Sequence, residues 1–217
     1  MLTVALLRQI VEPPVAIAVE SDPARRSPSE QTALGRIAAR AALASLHVDA
    51  GDLPLGPAGP AWPDGIVGSI AHTDGTAVAI TARMNDRAAL GIDLERSDRS
   101  ISARVLQRIS TEAERAWLRT TSEDMVLALF CAKEATYKAL SRFERHPVSF
   151  ADVSFELRAP GLLAGTLVAS ATPSDDIAAV SARTMIGGGY VVAVVEVEAS
   201  PRSSSRADTE RAAQDSH

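Results

Sequence analysis

Lysine is the scarcest of the charged residues in these 217: two lysines stand against twenty arginines. Cysteine is scarcer still. Cys131 is alone, so no disulfide can form within the chain. Aromatics make up only 4% of a composition that is 46% hydrophobic, so Val, Ile, Leu and Ala must fill the core. No apolar run approaches the ~20 residues of a transmembrane helix. Glu12 and Pro13 break the N-terminal apolar stretch too soon for a secretory leader, so a cytoplasmic protein with no membrane partner is expected. A net charge of -5 argues against broad electrostatic binding to nucleic acid, while leaving room for a local basic pocket.

What is present reads as alternating strands and helices. Val15–Glu20 is a short apolar run of strand type, ended by Ser21-Asp22-Pro23. Ser29–Leu46 carries an apolar stripe at helical spacing (Leu34, Ile37, Ala38, Ala41, Leu46), with Ser29 as the expected cap. Residues 49–65 are rich in Pro and Gly and read as an irregular loop. Three strand-like runs follow, at 66–71, 77–82 and 89–95, with an Asp74-Gly75 turn between the first two. A helical region begins at Ile101 and restarts at Thr111, where Glu114 completes capping-box spacing. A longer helix is expected over Glu123–Leu140, with Tyr137 among its buried positions, and strands over 153–157, 162–169, 178–185 and 190–197. Each half thus holds a long helix and several strands, which allows two related α+β lobes joined near Leu90–Arg96. The expected division is a lobe over 1–90, a lobe over 91–198 and a disordered polar tail over 199–217.

Both lysines lie in one stretch, Phe130-Cys131-Ala132-Lys133-Glu134-Ala135-Thr136-Tyr137-Lys138. A compact ammonium kept where arginine is otherwise universal suggests a place that a planar guanidinium would not fit, and phosphate is a common target. On a helix Glu134 and Lys138 share a face, and Lys133 borders it. A second motif is Gly91-Ile92-Asp93-Leu94-Glu95. On a strand, Asp93 and Glu95 face one way, about 6–7 Å apart, and repel unless a cation lies between them. A hard divalent ion such as Mg2+ fits that demand. A strand end in solvent, with Arg96 and Arg99 as ion-pair partners, fits it as well. The third motif runs from Trp62-Pro63 through Gly68-Ser69-Ile70-Ala71-His72-Thr73, where His72 and Thr73 offer polar groups at a strand end.

In this order and spacing the three motifs resemble one family, the 4'-phosphopantetheinyl transferases of the Sfp/EntD type. Its members carry a G-[IV]-D-x-E strand, a later W/F-[SC]-x-K-E-[AS]-x-x-K helix and an earlier W-P-…-G-S-[IL]-S-H-[ST] segment. Leu34–Leu43 also looks like the G-R-x-A-A-R-x-A-L segment of the EntD branch. The resemblance covers about Ser29 to Leu140. Two departures stand out: Ala71 replaces the Ser that usually precedes the His, and Ala58 and Gly59 stand where EntD-like members often have a basic residue.

The resemblance implies an α+β pseudodimer of two similar lobes with the active site in the cleft between them. It implies transfer of the 4'-phosphopantetheine arm of coenzyme A to a serine of an apo acyl or peptidyl carrier protein. Asp93, Glu95 and Glu134 would hold Mg2+, or Mn2+ in its place. Lys133 and Lys138 would neutralise the pyrophosphate, with Glu134 as candidate base and Lys138 as its catalytic partner. His72 and Thr73 would meet a coenzyme A phosphate, and Arg36 and Arg40 the 3'-phosphate end. Arg104, Arg108 and Arg115, with Val105 and Leu106, would help dock an acidic carrier. With both lobes in one chain, a monomer is expected. Two other readings stay open: a Mg2+-dependent pyrophosphatase acting on coenzyme A or nucleotides, and a non-catalytic module that binds coenzyme A or a carrier.

Overall fold

Trp62 packs its ring over Gly68, where an added Cβ would stand 2.7 Å from it, so the Pro- and Gly-rich loop is held against the sheet at a residue without a side chain. The computed structural model describes residues 1–24, 27–49, 51–56, 59–141, 149–167 and 177–199. The elements, in chain order, are α1 (Val4–Leu7), β1 (Ala16–Ser21), α2 (Pro28–Ser45), β2 (Leu55–Gly56), β3 (Gly59–Pro60), β4 (Ile66–Thr73), β5 (Thr76–Arg83) and β6 (Ala89–Arg96). Then follow α3 (Ala103–Ile109), α4 (Glu112–Leu118), α5 (Asp124–Leu140), β7 (Val153–Ala159), β8 (Leu162–Leu167), β9 (Ile177–Gly187) and β10 (Tyr190–Ala199). The class is mixed α+β.

Most boundaries follow from local chemistry. The cap of α2 is Ser27 and not Ser29: Ser27 Oγ accepts from the Glu30 amide, and the Glu30 carboxylate accepts from the Ser27 amide. Pro28 explains the difference. It lacks an amide hydrogen, which costs nothing in a first turn, so the helix begins at Pro28 and the cap falls just before it. The expected capping box of Thr111 and Glu114 opens α4. Asp74 and Gly75 turn β4 into β5 with φ of 46° and 75°, the left-handed pair that a two-residue hairpin needs. The Pro- and Gly-rich stretch expected to be irregular contains the small β2–β3 ribbon. Of the strand expected over 162–169, the last two residues lie outside the described ones, as does the tail beyond Ala199.

Two antiparallel sheets result, one ordered β1-β5-β4 and the other β6-β10-β9-β8-β7. Helix α2 lies across the first sheet, and α5 lies across β6, β10 and β9 of the second. The lobes are alike in plan but not in size, with three strands against five. Strand alternation gives the sheets a shared core. Val67, Ala71, Val78 and Ile80 from the first meet Ile92, Leu94, Val192 and Val194 from the second, and Leu2, Leu7, Ile10 and Val11 of the N-terminal segment close it over. Ser69 Oγ accepts the Ile92 amide at 3.1 Å, fixing β4 beside β6. Tyr190 Oη meets Thr76 Oγ1 at 2.8 Å, a second tie between the sheets. Among the described residues no helix is long and apolar enough to cross a membrane.

Candidate active site

Strand β6 divides its side chains between two environments. Ile92 and Leu94 enter the shared core, while Gly91, Asp93 and Glu95 face α5. The helix comes down on β6 because Gly91 has no side chain. A Cβ there would stand 1.9 Å from the Ala135 carbonyl oxygen and 3.2 Å from the Ala139 Cβ. The close approach brings Lys138 across to the strand, where its ammonium donates to Asp93 Oδ1 at 2.8 Å and to the Ile92 carbonyl at 3.0 Å. Asp93 is buried and its other oxygen, Oδ2, has no hydrogen-bond partner.

Glu134 sits one turn before Lys138, half-buried, in the same field. Burial raises its pKa above the usual carboxylate value, and the charges of Asp93 and Glu95 push the same way; Lys138 and Arg99 oppose them. Glu134 therefore feels all four groups. Arg99, beyond the end of β6, forms an ion pair with Glu95 and rests over the Phe130 ring at 4.7 Å from its centroid. Arg96 turns instead to Asp98 and Asp74. Cys131 is buried beneath the site, and burial together with Asp93 and Glu95 drives its thiol pKa up, so it stays protonated.

Among the described residues, no three His, Cys, Asp or Glu side chains stand close enough together to hold a metal ion. The expected triad of Asp93, Glu95 and Glu134 is therefore not drawn into a ligand cluster. Asp93 pairs with Lys138 and Glu95 with Arg99, so two of the three carboxylates turn toward cations of their own. The donor set nonetheless suits a hard ion. It offers carboxylate oxygens only, and Asp93 Oδ2 is a buried acceptor that nothing else satisfies.

Lys133 is the clear correction. It was expected to border the Glu134 face and reach a phosphate, yet it is 1% exposed and its ammonium bonds to Glu114 Oε1 and to the carbonyls of Phe150 and Val153. Burial lowers its pKa, and Glu114 resists that fall. The physical reason is the helical rotation of about 100° between neighbouring residues, which turns Lys133 inward when Glu134 faces the strand. Tyr137, expected to be buried, is 45% exposed and stacks at a tilt on Phe150.

His72 and Thr73 end β4, on the first sheet. The His72 ring lies against α2, its Cδ2 being 3.5 Å from where a Gly35 Cβ would stand. Protein crowding on that side and the Lys138 ammonium pull its pKa below 6.5, while Asp93 works the other way. His72 therefore links the α2 side of the molecule to the acid site. Arg36 and Arg40 follow on α2 and line an open groove of about 450 Å³ with Ser29, Thr32 and Asp52. Ala71 points into the shared apolar core, so a serine hydroxyl at this position would not face the site. On α3, Arg104, Val105 and Arg108 are exposed. Arg115 is not free in the same way, because its guanidinium bonds to the Ser110 carbonyl and hydroxyl.

Comparison with known proteins agrees with this layout in extent. The model of the 4'-phosphopantetheinyl transferase superfamily matches residues 89–195. The model of the 4'-phosphopantetheinyl transferase N-terminal domain matches residues 20–82. The chain is 43% identical over 107 residues to 4'-phosphopantetheinyl transferase Npt of Nocardia iowensis, covering 48% of each protein. It is 39% identical over 132 residues to 4'-phosphopantetheinyl transferase PptT of Mycobacterium tuberculosis, covering 58% of each. To enterobactin synthase component D of Salmonella typhi it is 37% identical over 115 residues, covering 49% of this chain and 46% of that one. The chain thus spans about half the length of the curated relatives it matches. Among solved structures, Helicobacter pylori holo-[acyl-carrier-protein] synthase in complex with coenzyme A matches at a TM-score of 0.42 and 24% identity, covering 50% of this chain and 99% of that chain.

Proposed function

Because this chain belongs to the 4'-phosphopantetheinyl transferase superfamily, we propose that it moves the 4'-phosphopantetheine arm of coenzyme A onto a serine of an apo acyl or peptidyl carrier protein, with Mg2+ or Mn2+, in secondary metabolism. The observation that carries the proposal is the face shared by α5 and β6, where Lys138 meets Asp93 and Glu134 feels both Asp93 and Glu95.

The reaction joins the serine oxygen to the pyrophosphate phosphorus on the pantetheine side and breaks that phosphorus's bond to 3',5'-ADP. The serine proton leaves through a base. Positioning and charge neutralisation supply most of the catalysis in such a step. Asp93, Glu95 and Glu134 are the residues that would hold the divalent ion, which when bound stabilises the charge on the pyrophosphate. Lys138 keeps an ammonium at the same place and offers donors to a pyrophosphate oxygen. Glu134 is the candidate base, taking the serine proton directly or through a water. His72, whose ring lies against α2, would meet a coenzyme A phosphate, and Thr73 would add a hydroxyl beside it. Arg36 and Arg40 line the groove suited to the 3'-phosphate end. The substrate would then bridge the two lobes, with His72 from the first and Asp93 from the second. The exposed basic and apolar face of α3 around Arg104, Val105 and Arg108 suits an acidic carrier.

The test is the intact mass of several apo carrier proteins after incubation with the protein, coenzyme A and Mg2+. A gain of one phosphopantetheine arm, lost with Glu134→Ala, is expected. Release of phosphopantetheine into water without transfer would favour a pyrophosphatase instead.

A further inference from the structure

Lys133 and Glu134 are adjacent on α5, and they serve opposite sides of the helix. We propose that the Lys133–Glu114 pair is a positioning device for the acid site: it holds α5 in the rotation that presents Glu134 and Lys138 to Asp93 and Glu95, and it does not touch coenzyme A. The inference rests on the transferase reading for what the site does, and on the packing of α5 for how it is held.

The pair is closed to ligands. Lys133 is 1% exposed and Glu114 is fully buried. The three donor directions of the ammonium go to Glu114 Oε1, the Phe150 carbonyl and the Val153 carbonyl. Glu114 is equally committed, accepting from the Phe155 amide at 2.7 Å through Oε1 and from the Thr111 amide at 2.7 Å through Oε2. Four segments converge on one charge pair: the start of α4, the middle of α5, the Phe150 turn and strand β7. Withdrawing Lys133 to meet a phosphate would leave a carboxylate buried without its counter-charge.

The buried side of α5 mixes small residues (Ala128, Cys131, Ala132, Ala135 and Ala139) with large ones (Leu127, Leu129, Phe130 and Leu140). Apolar packing of this kind is non-directional. The Lys133–Glu114 contact adds a directional one, fixed by hydrogen bonds to named backbone groups. Since neighbouring residues are set about 100° apart, any rotation that frees Lys133 swings Glu134 by the same angle away from β6.

Lys133→Met alone leaves Glu114 without its counter-charge and can fail to fold, so the informative variant is Lys133→Met/Glu114→Gln, which removes both charges and keeps one acceptor oxygen for the two amides, Phe155 and Thr111, that Glu114 now serves. Three quantities are read on it: its circular dichroism and melting, its Mn2+ affinity without coenzyme A by electron paramagnetic resonance, and its coenzyme A affinity without metal by calorimetry. The folded double variant is expected to lose about tenfold in Mn2+ affinity and in kcat, the lower end of what losing the support of metal ligands costs, with coenzyme A affinity and KM within about twofold of wild type. Weakened coenzyme A binding with unchanged Mn2+ affinity would overturn the proposal in favour of a phosphate contact. Wild-type values throughout would overturn it in favour of a purely structural pair, and a wild-type protein that binds no Mn2+ would overturn it too. The Mn2+ titration uses no carrier, so a wild-type protein that binds the ion but transfers nothing would sink the transferase reading without deciding this one.

Discussion

Replacing Gly91 by alanine should separate folding from catalysis. The added Cβ would lie 1.9 Å from the Ala135 oxygen and 2.7 Å from its carbonyl carbon, and contacts under 3.0 Å are not tolerated. The obstacle is helix backbone, so no rotamer change relieves it, and α5 must lift from β6 by more than an ångström. Overpacking of this kind costs about 1–3 kcal/mol. In a chain of this size that is a fall in melting temperature of roughly 2–12 °C, which leaves the protein folded. Catalysis should suffer more, because Glu134 and Lys138 ride on the part of α5 that lifts while Asp93 and Glu95 stay on the strand. A misplacement near 1 Å costs about 10²-fold in rate. Gly187→Ala is the control, since a Cβ there meets nothing within 4 Å. Ala139→Gly should not rescue Gly91→Ala, because it leaves the backbone clash in place. The assay pairs thermal melting with carrier modification followed by mass spectrometry. Wild-type melting and wild-type rate in Gly91→Ala would refute the account of how the site is assembled.

Other outcomes follow from the same geometry. Lys138→Ala should lower kcat by about 10²-fold, the cost of losing one donor to developing charge, and Lys138→Arg should remain impaired because a planar fork does not fit between the Ile92 carbonyl and Asp93; full activity of the arginine variant would contradict this. His72 should titrate below 6.5 when followed by NMR, and bound coenzyme A should raise its midpoint, since a phosphate favours the imidazolium. Its lowered folded pKa means the unfolded chain binds more protons in the window just below 6.5. Stability therefore falls there as pH falls, and His72→Gln should flatten that part of the pH–stability curve. Ala71→Ser should leave KM for coenzyme A unchanged and cost about 1–3 kcal/mol in chemical denaturation, because the hydroxyl enters an apolar core; a lower KM would show that the side chain reaches the site.

Much of the site could be read from the chain because its parts are local. The alternation of Asp93 and Glu95 on a strand, and the one-turn spacing of Glu134 and Lys138, are properties of regular elements and hold in any tertiary setting. The Asp74-Gly75 turn and the Thr111–Glu114 capping box were legible for the same reason. What escaped was tertiary. Glu114 shows its capping role in sequence but not its second role as the partner of Lys133, which stands in a different helix. The inward turn of Lys133 depends on which face of α5 meets the sheet, and a composition so rich in alanine leaves that face poorly marked. Arg99 was visible only as a surface partner for the acidic strand end, and its seat on Phe130 required the fold. The N-terminal apolar stretch is marked in sequence only as too short for a leader, and its place in the core, where Leu2, Leu7, Ile10 and Val11 meet both sheets, belongs to the fold.

The account turns on one cation drawing Asp93, Glu95 and Glu134 together. Its most direct measurement is a Mn2+ titration followed by electron paramagnetic resonance on wild type and on Asp93→Asn, Glu95→Gln and Glu134→Gln, each with coenzyme A present. One bound ion per chain in the wild type, weakened in all three variants, is predicted. An ion whose binding ignores any one of those substitutions would contradict it.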